Sequence, residues 1–114
     1  MTLQEIIETL QLTPLTEPRD YATITPTGGY ASDLLSCVMA GAKRSGVWVT
    51  LQAHANIVAV AALLDLAAVI VTEDAQPDPV TIEKANLEGV ILLGTKMPTY
   101  TVVGKLWASG LKTE

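Results

Sequence analysis

Residues 48–61 constrain the fold of this chain more than any other segment. They open with Trp48 and three further residues suited to a buried strand, and they pass at Gln52 into a polar corner. From Asn56 the chain is apolar on nearly every side, which predicts a helix packed between a sheet and a second surface. A buried strand that turns sharply into such a helix is typical of an α/β protein.

The same succession of strand and helix recurs along the rest of the chain. Strands separated by helices of this length indicate a small, mainly parallel sheet flanked by helices, which is an α/β fold of a single domain. The apolar patterns predict helices over residues 2–10, 33–45, 56–66, 78–89 and 98–110, and strands over residues 20–25, 47–51, 68–71 and 90–93. Thr2 and Glu5 are spaced for a capping box at the first helix, Ser32 or Asp33 can cap the second, and Asp78-Pro79 is expected to begin the fourth.

Prolines and glycines mark the expected boundaries. Residues 1–18 are predicted as an N-terminal helix followed by a linker that ends at Pro18, and residues 19–114 as the α/β domain. The pair Gly28-Gly29 is expected to form a flexible turn. Cys37 falls between apolar residues of the second helix and is predicted to be buried.

Composition narrows the functional classes. The 114 residues suffice for one core, and an apolar share of 49% suggests that self-association into a homo-oligomer, most simply a dimer, covers part of the surface. A net charge of −5, with no basic cluster larger than Lys43-Arg44, argues against a nucleic-acid partner. The apolar run at residues 57–71 is too short to span a bilayer. A single cysteine and no visible signal peptide indicate the reducing cytoplasm.

Polar residues cluster where the predicted strands end. The carboxyl ends of parallel strands meet at one edge of the sheet, and because open α/β proteins bind ligands there, we expect a site at that edge. A histidine beside free backbone N–H groups at the start of a helix, and a lysine after the last strand, favour a small anionic ligand such as a nucleotide or phosphorylated molecule. The candidate ligand-binding residues are Gln52, His54, Asn56, Thr72, Glu73, Thr95 and Lys96.

Each candidate also has a structural interpretation. His54 or Asn56 could instead cap the helix that follows, and Thr95 could cap the last helix. The adjacent carboxylates of Glu73 and Asp74 fit a solvated loop as well as an acid–base or metal site. The spacing of His, Cys, Asp and Glu residues is too loose to predict a metal, and no cofactor is expected.

Three stretches of the chain resemble one known family. They are Gly-Tyr-Ala-Ser-Asp-Leu-Leu-Ser at residues 29–36, Val-Met-Ala at residues 38–40, and Trp-Val-Thr-Leu-Gln at residues 48–52 with His54 and residues 56–61. Together they are similar to small stand-alone DRTGG-like proteins, which are related to the N-terminal domain of HPr kinase/phosphorylase and to the DRTGG insert of CBS-containing pyrophosphatases. The chain differs at Ala53-His54, where relatives often have Asp-Arg, and at Thr72-Glu73-Asp74, which replaces Thr-Gly-Gly.

This resemblance implies a regulatory or dimerising accessory module with an α/β fold and a small central sheet, while catalysis lies elsewhere. The chain lacks the phosphate-binding loop G-x-x-x-x-G-K-[ST], because Gly104-Lys105 is followed by leucine, so a kinase or other enzyme is not expected. Our first hypothesis is a non-catalytic regulatory or ligand-sensing module. The alternative is a structural subunit that dimerises or binds a protein partner without a small-molecule ligand.

Overall fold

Five strands form one sheet within residues 1–112, the residues that the computed structural model describes. The strands are β1 (Thr13–Pro14), β2 (Gly29–Ala31), β3 (Val47–Thr50), β4 (Ala68–Val71) and β5 (Leu92–Gly94). The helices are α1 (Leu3–Leu10), α2 (Leu35–Gly41), α3 (Asn56–Leu64), α4 (Pro79–Glu88) and α5 (Thr99–Ala108). The strand order is β1-β5-β4-β3-β2, with β2 to β5 parallel and β1 antiparallel to β5.

The two faces of the sheet carry two separate apolar cores. Helices α2, α3 and α4 connect the parallel strands and pack on one face, over a core that includes Trp48 and Ile57. Helices α1 and α5 cover the other face, over a core that includes Leu3 and Ile70. Each parallel strand lies beside the next one along the chain. The strand order therefore never reverses between β2 and β5. Open α/β sheets form their ligand crevices at topological switch points, where the strand order reverses, and this part of the sheet has none.

Helix α1 begins with the predicted capping box. The Thr2 hydroxyl accepts the backbone N–H of Glu5 at 3.1 Å, and the Glu5 carboxylate accepts the backbone N–H of Thr2 at 3.0 Å. These reciprocal bonds satisfy two N–H groups that a helix start would otherwise leave open. The helix ends at Gln11, which adopts the left-handed conformation at φ 54°. Its apolar stripe is buried against the sheet and consists of Leu3, Ile6, Ile7 and Leu10.

Helix α4 begins at the predicted Asp78-Pro79 signal. The Asp78 carboxylate accepts the backbone N–H of Thr81 at 2.8 Å, and the helix closes at Gly89, which has a φ of 72°. The hydrogen bond from Thr81 holds the pKa of Asp78 below its ordinary value, and the nearby charge of His54 lowers that pKa further. The cap is therefore strongest while Asp78 is ionised.

Replacing Asp78 by asparagine should remove one component of the acid sensitivity of folding. Because the pKa of Asp78 is lower in the folded than in the unfolded state, its ionisation stabilises the fold above the unfolded value of about 4, and this contribution is lost as the pH falls toward the folded value. Asparagine caps helices without titrating. Urea unfolding of both proteins between pH 6 and pH 3 (roughly the range that brackets this titration) should show the stability difference shrinking as the pH falls. A constant difference would contradict the assignment.

Strand β1 and a short helical turn replace two predicted segments near the N-terminus. The segment predicted as a linker supplies β1, which pairs with β5. The strand predicted over residues 20–25 is wrong, because Tyr21–Thr23 form a 3₁₀ turn. The carbonyl of Asp20 accepts the N–H of Thr23 at 3.2 Å and its hydroxyl at 2.8 Å, which closes the turn. In this turn the side chain of Tyr21 is buried beside α1, and the residue does not belong to the sheet.

Two further predictions fail around α2. Gly29 and its neighbours form β2 where a flexible turn was predicted, because this segment pairs with β3 at the outer edge of the sheet. Cys37 is exposed where burial was predicted. The helix has only seven residues and buries Val38 alone among them, so the residue just before Val38 points away from the core.

Candidate functional site at the carboxyl edge of the sheet

Asp33 joins the carboxyl ends of β2 and β3. Its carboxylate accepts the hydroxyl of Thr50 at 2.8 Å and the backbone N–H of Leu51 at 2.9 Å. The side-chain amide of Gln52 donates to the Asp33 carbonyl at 3.1 Å. Thr50 is fully buried, so its hydroxyl needs this partner. The sequence predicted Ser32 or Asp33 as the cap of the second helix, but α2 begins after Leu34 without a side-chain cap. The contact of Asp33 with Thr50, which lies 17 residues away, was missed.

His54 caps α3. Its Nδ1 atom accepts the backbone N–H of Asn56 at 3.1 Å, while the next two N–H groups, of Ile57 and Val58, bond to the carbonyls of His54 and Ala55 at 3.0 and 3.1 Å. The first three N–H groups of α3 are therefore already satisfied within the protein. These contacts are structural, and a role of His54 in ligand binding stays a prediction.

Glu73 occupies the start of α5. Its carboxylate accepts the backbone N–H of Thr99 at 2.7 Å, and its own N–H donates to the carbonyl of Met97 at 2.9 Å. Glu73 and Asp74 both adopt positive φ values, 62° and 58°, which turn the loop back toward the residues that follow β5. An anion at this helix start would meet the carboxylate that already binds there.

Threonine hydroxyls hold the ends of β4 and β5 together beneath this loop. The buried Thr72 hydroxyl pairs with the hydroxyl of Thr99, and the Asp74 N–H donates to the Thr95 carbonyl at 3.0 Å. The Thr95 hydroxyl accepts the N–H of Met97 at 3.1 Å. Thr72, Glu73 and Thr95 are thus brought together, as the sequence predicted, through contacts that are mainly structural.

The sheet separates the predicted ligand-binding residues into two groups. His54 and Asn56 lie at the start of α3, on the face that also carries α4 and the nearby Asp78. Glu73 and Lys96 lie by the start of α5, on the opposite face. The sequence could place all of them at one edge, but it could not tell on which face each connecting helix would pack.

A cavity of about 580 Å³ opens beside the second group, between α1 and the segment that leads from β5 into α5. Among the described residues, its lining includes two cations and no carboxylate, although the whole chain has a net charge of −5. The residues that line it are Thr9, Leu10, Gln11, Thr13, Thr95, Lys96, Met97 and Lys105. Two of them, Thr95 and Lys96, were predicted. Lys105 was missed because nothing in the sequence brings the second turn of α5 toward α1.

Among residues 1–112, no three His, Cys, Asp or Glu side chains come together as a group that could hold a metal ion. None of the helices in the same range is long and apolar enough to cross a membrane.

Comparison with known proteins identifies the fold. No family model matches the chain, and no curated protein matches it. The structure is similar to the crystal structure of the CBS and DRTGG domains of the regulatory region of Clostridium perfringens pyrophosphatase, solved with its activator diadenosine tetraphosphate. The similarity has a TM-score of 0.76 and 17% sequence identity. It covers 92% of this chain but only 45% of the pyrophosphatase chain.

At this identity the likeness establishes the fold. The chain has the α/β fold found in a DRTGG-containing regulatory region, with a five-stranded, mainly parallel sheet within the described residues. The predicted fold class is therefore confirmed, and the resemblance to DRTGG-like domains, first drawn from residues around Trp48 and His54, is confirmed at the level of the fold.

Proposed function

We propose that this chain is a non-catalytic regulatory module that senses a small anionic ligand, of the nucleotide class, at the carboxyl edge of its sheet. The observation that carries the proposal is the cavity lined by Lys96 and Lys105. The shared fold supports it, because the similar pyrophosphatase region was solved with a dinucleotide activator. A cytoplasmic location and self-association, as a homodimer, belong to the same proposal.

The chemistry of the cavity suits a phosphorylated ligand. Two lysine ammonium groups supply six N–H donors, and phosphate oxygens accept such bonds well. The Thr95 hydroxyl uses an oxygen lone pair to accept the N–H of Met97, so its own proton remains to be donated. Leu10 and Met97 add apolar wall against which a base or sugar can pack. Small-molecule sites commonly combine an apolar wall with a few convergent polar groups in this way.

The absence of catalysis is proposed on the same contacts. A histidine acting as general base must lie within hydrogen-bond reach of a nucleophile or substrate proton. The Nδ1 atom of His54 instead accepts the backbone N–H of Asn56, and the described hydrogen bonds of His54 include no hydroxyl or thiol.

Ligand binding should be lost when the two lysines are removed. We would follow thermal unfolding with diadenosine tetraphosphate, ATP and inorganic pyrophosphate on the wild type and on the double variant Lys96→Ala/Lys105→Ala. Ligand at a hundred times Kd stabilises a fold by about 2.7 kcal/mol, which raises the unfolding temperature of a domain of this size by several degrees. The double variant should lose this shift.

Two control variants test whether the ligand binds at this cavity. Lys84→Ala removes an exposed lysine of α4 outside the cavity, and His54→Ala removes the side-chain bond to Asn56 on the opposite face. Both should keep the shift. A shift that vanishes in His54→Ala and survives in the double lysine variant would move the site to the α3 corner. No shift with any of the three compounds in the wild type would argue against this ligand class.

One observation favours the alternative, a structural subunit that binds a partner. Trp107 is 49% exposed and Val103 is 36% exposed, and both line an apolar groove of about 300 Å³ beside β2. Exposed apolar surface of this kind commonly marks an interaction site. An unresponsive thermal screen together with a stable homodimer or a co-purifying protein would favour this function.

A further inference from the structure

Within residues 1–112, no strand pairs with the outer backbone edge of β2. On its inner side, the carbonyl of Gly28 accepts the N–H of Val47 at 2.9 Å, and the N–H of Ser32 donates to the carbonyl of Val49 at 3.3 Å. Alternate residues of a strand direct their backbone groups to opposite sides. The N–H and C=O groups of Gly29 and Ala31 therefore point away from β3, toward solvent. An open edge of this kind is a template for pairing with another strand.

The surfaces on both sides of this edge are apolar. On the α5 side lies the groove of about 300 Å³, which is lined by Gly29 and Ala31 of β2 and by Val103 and Trp107 of α5. On the α2 side, residues 34–42 contain no charged side chain, and Leu34 and Met39 are exposed. Both faces beside β2 thus favour a second apolar surface over water.

The charges at the two ends of β2 are opposite. Asp33 follows the carboxyl end of the strand and is exposed. Lys43 lies at the amino end, where it lines a cavity of about 370 Å³ with Thr27 and Gly28. An antiparallel neighbour of the same sequence reverses these ends, so that each Asp33 meets the end of the partner that carries Lys43. A second copy of this chain is therefore complementary to the edge in charge as well as in hydrogen bonding.

We propose that β2 pairs antiparallel with β2 of a second copy, about a two-fold axis at Tyr30, so that two sheets join into one. In this alignment Gly29 exchanges backbone hydrogen bonds with Ala31 of the partner subunit, and the Trp107 side chains of both copies cover these small residues. The proposal rests on the self-association named above and assigns its surface.

Sedimentation velocity across the micromolar range tests this surface with two single variants. Ala31→Pro removes an outward N–H and leaves the bonds to β3 intact, so this variant should be monomeric. Lys43→Glu places a carboxylate opposite Asp33 of the partner subunit and should raise the dimer dissociation constant by at least about tenfold. Lys84→Glu makes the same charge change on α4 and should leave the constant unchanged.

A charge reversal provides the decisive control. The double variant Asp33→Lys/Lys43→Glu restores opposite charges across the two-fold axis and should recover the dimer. Urea unfolding of each variant checks that the fold is retained, since Asp33 also binds Thr50 and Leu51. If Ala31→Pro does not fold, the two charge variants decide the question by themselves.

The possible outcomes separate this proposal from the one on which it rests. A monomeric wild type would overturn both the surface and the self-association. If the wild type is dimeric and neither Ala31→Pro nor Lys43→Glu changes the dimer dissociation constant, the β2 surface alone is overturned. A dimer lost in Ala31→Pro but insensitive to both charge variants would overturn the antiparallel two-fold alignment. In each case ligand sensing is still decided by the thermal measurements on Lys96 and Lys105.

Discussion

Replacing Trp48 by alanine should lower the free energy of unfolding by about 3–5 kcal/mol, the usual cost of removing a buried aromatic side chain from a core. Trp48 lies on β3 with none of its surface exposed, in the core beneath α2 and α3. Its indole N–H also donates to the carbonyl of Ser32 at 2.8 Å. Because small domains have a total stability of about 5–15 kcal/mol, this loss is a large share of the total.

Two further substitutions separate the contributions to this loss. Trp48→Phe keeps most of the apolar surface but leaves the Ser32 carbonyl without its donor, so it should cost less than Trp48→Ala. Leu87→Ala removes a similar apolar group from an exposed position on α4 and should change stability by no more than about 0.5 kcal/mol. Urea unfolding measures all three. Equal urea unfolding midpoints for Trp48→Ala and Leu87→Ala would contradict the claim that burial of Trp48 in this core stabilises the fold.

Deleting residues 1–18 should abolish cooperative folding. The deletion removes α1 and β1, and with them five apolar side chains buried against the sheet, which are Leu3, Ile6, Ile7, Leu10 and Leu12. Full burial of each such side chain stabilises a fold by about 1.5–3 kcal/mol, so the loss is on the order of 10 kcal/mol. It also leaves the outer edge of β5 unpaired and its face open to water.

This deletion tests the predicted division of the chain at residue 18. Circular dichroism with urea unfolding should show no cooperative transition for the shortened chain. As graded controls, Ile6→Ala should cost about 2–5 kcal/mol, and Glu8→Ala, at an exposed position of the same helix, should change stability little. If the shortened chain unfolded cooperatively at the wild-type midpoint, residues 19–114 would be a domain by themselves.

Short-range patterns in the sequence predicted most of the elements. The capping box at Thr2 and the cap at Asp78 are present as predicted, because each joins residues only three positions apart. Strand β4 has the predicted limits, and β3 and α3 begin at their predicted residues. The residues of β3 and β4 are buried on both faces of the sheet, so few alternative structures would satisfy these strands.

The errors fall where burial depends on distant residues. The alternation around Tyr21 fits a strand, yet the segment turns because α1 offers Tyr21 a buried position. Gly29 gave only a turn signal, and it becomes part of a strand because β3 provides the pairing partner. Local propensity is overruled in both places by contacts across the fold.

The candidate site shows the same division. The sequence identified the polar residues that follow β3, β4 and β5, and their role in ligand binding stays a prediction. It did not reveal that Glu73 binds the start of α5, 26 residues further along, or that Lys105 faces the same cavity as Lys96. These pairings depend on α5 crossing back over the face opposite α3.

The sequence alone predicts the alternation of strands and helices, the buried strands at the centre of the sheet, and the edge at which polar residues gather. Apolar periodicity and caps act within a few residues, so they can be read along the chain. The tertiary structure decided which face each helix covers, which polar groups bind one another, and which edge and which cavity remain open. Those outcomes arise from packing between segments far apart in the chain, where the burial of apolar surface and the satisfaction of polar groups are settled together.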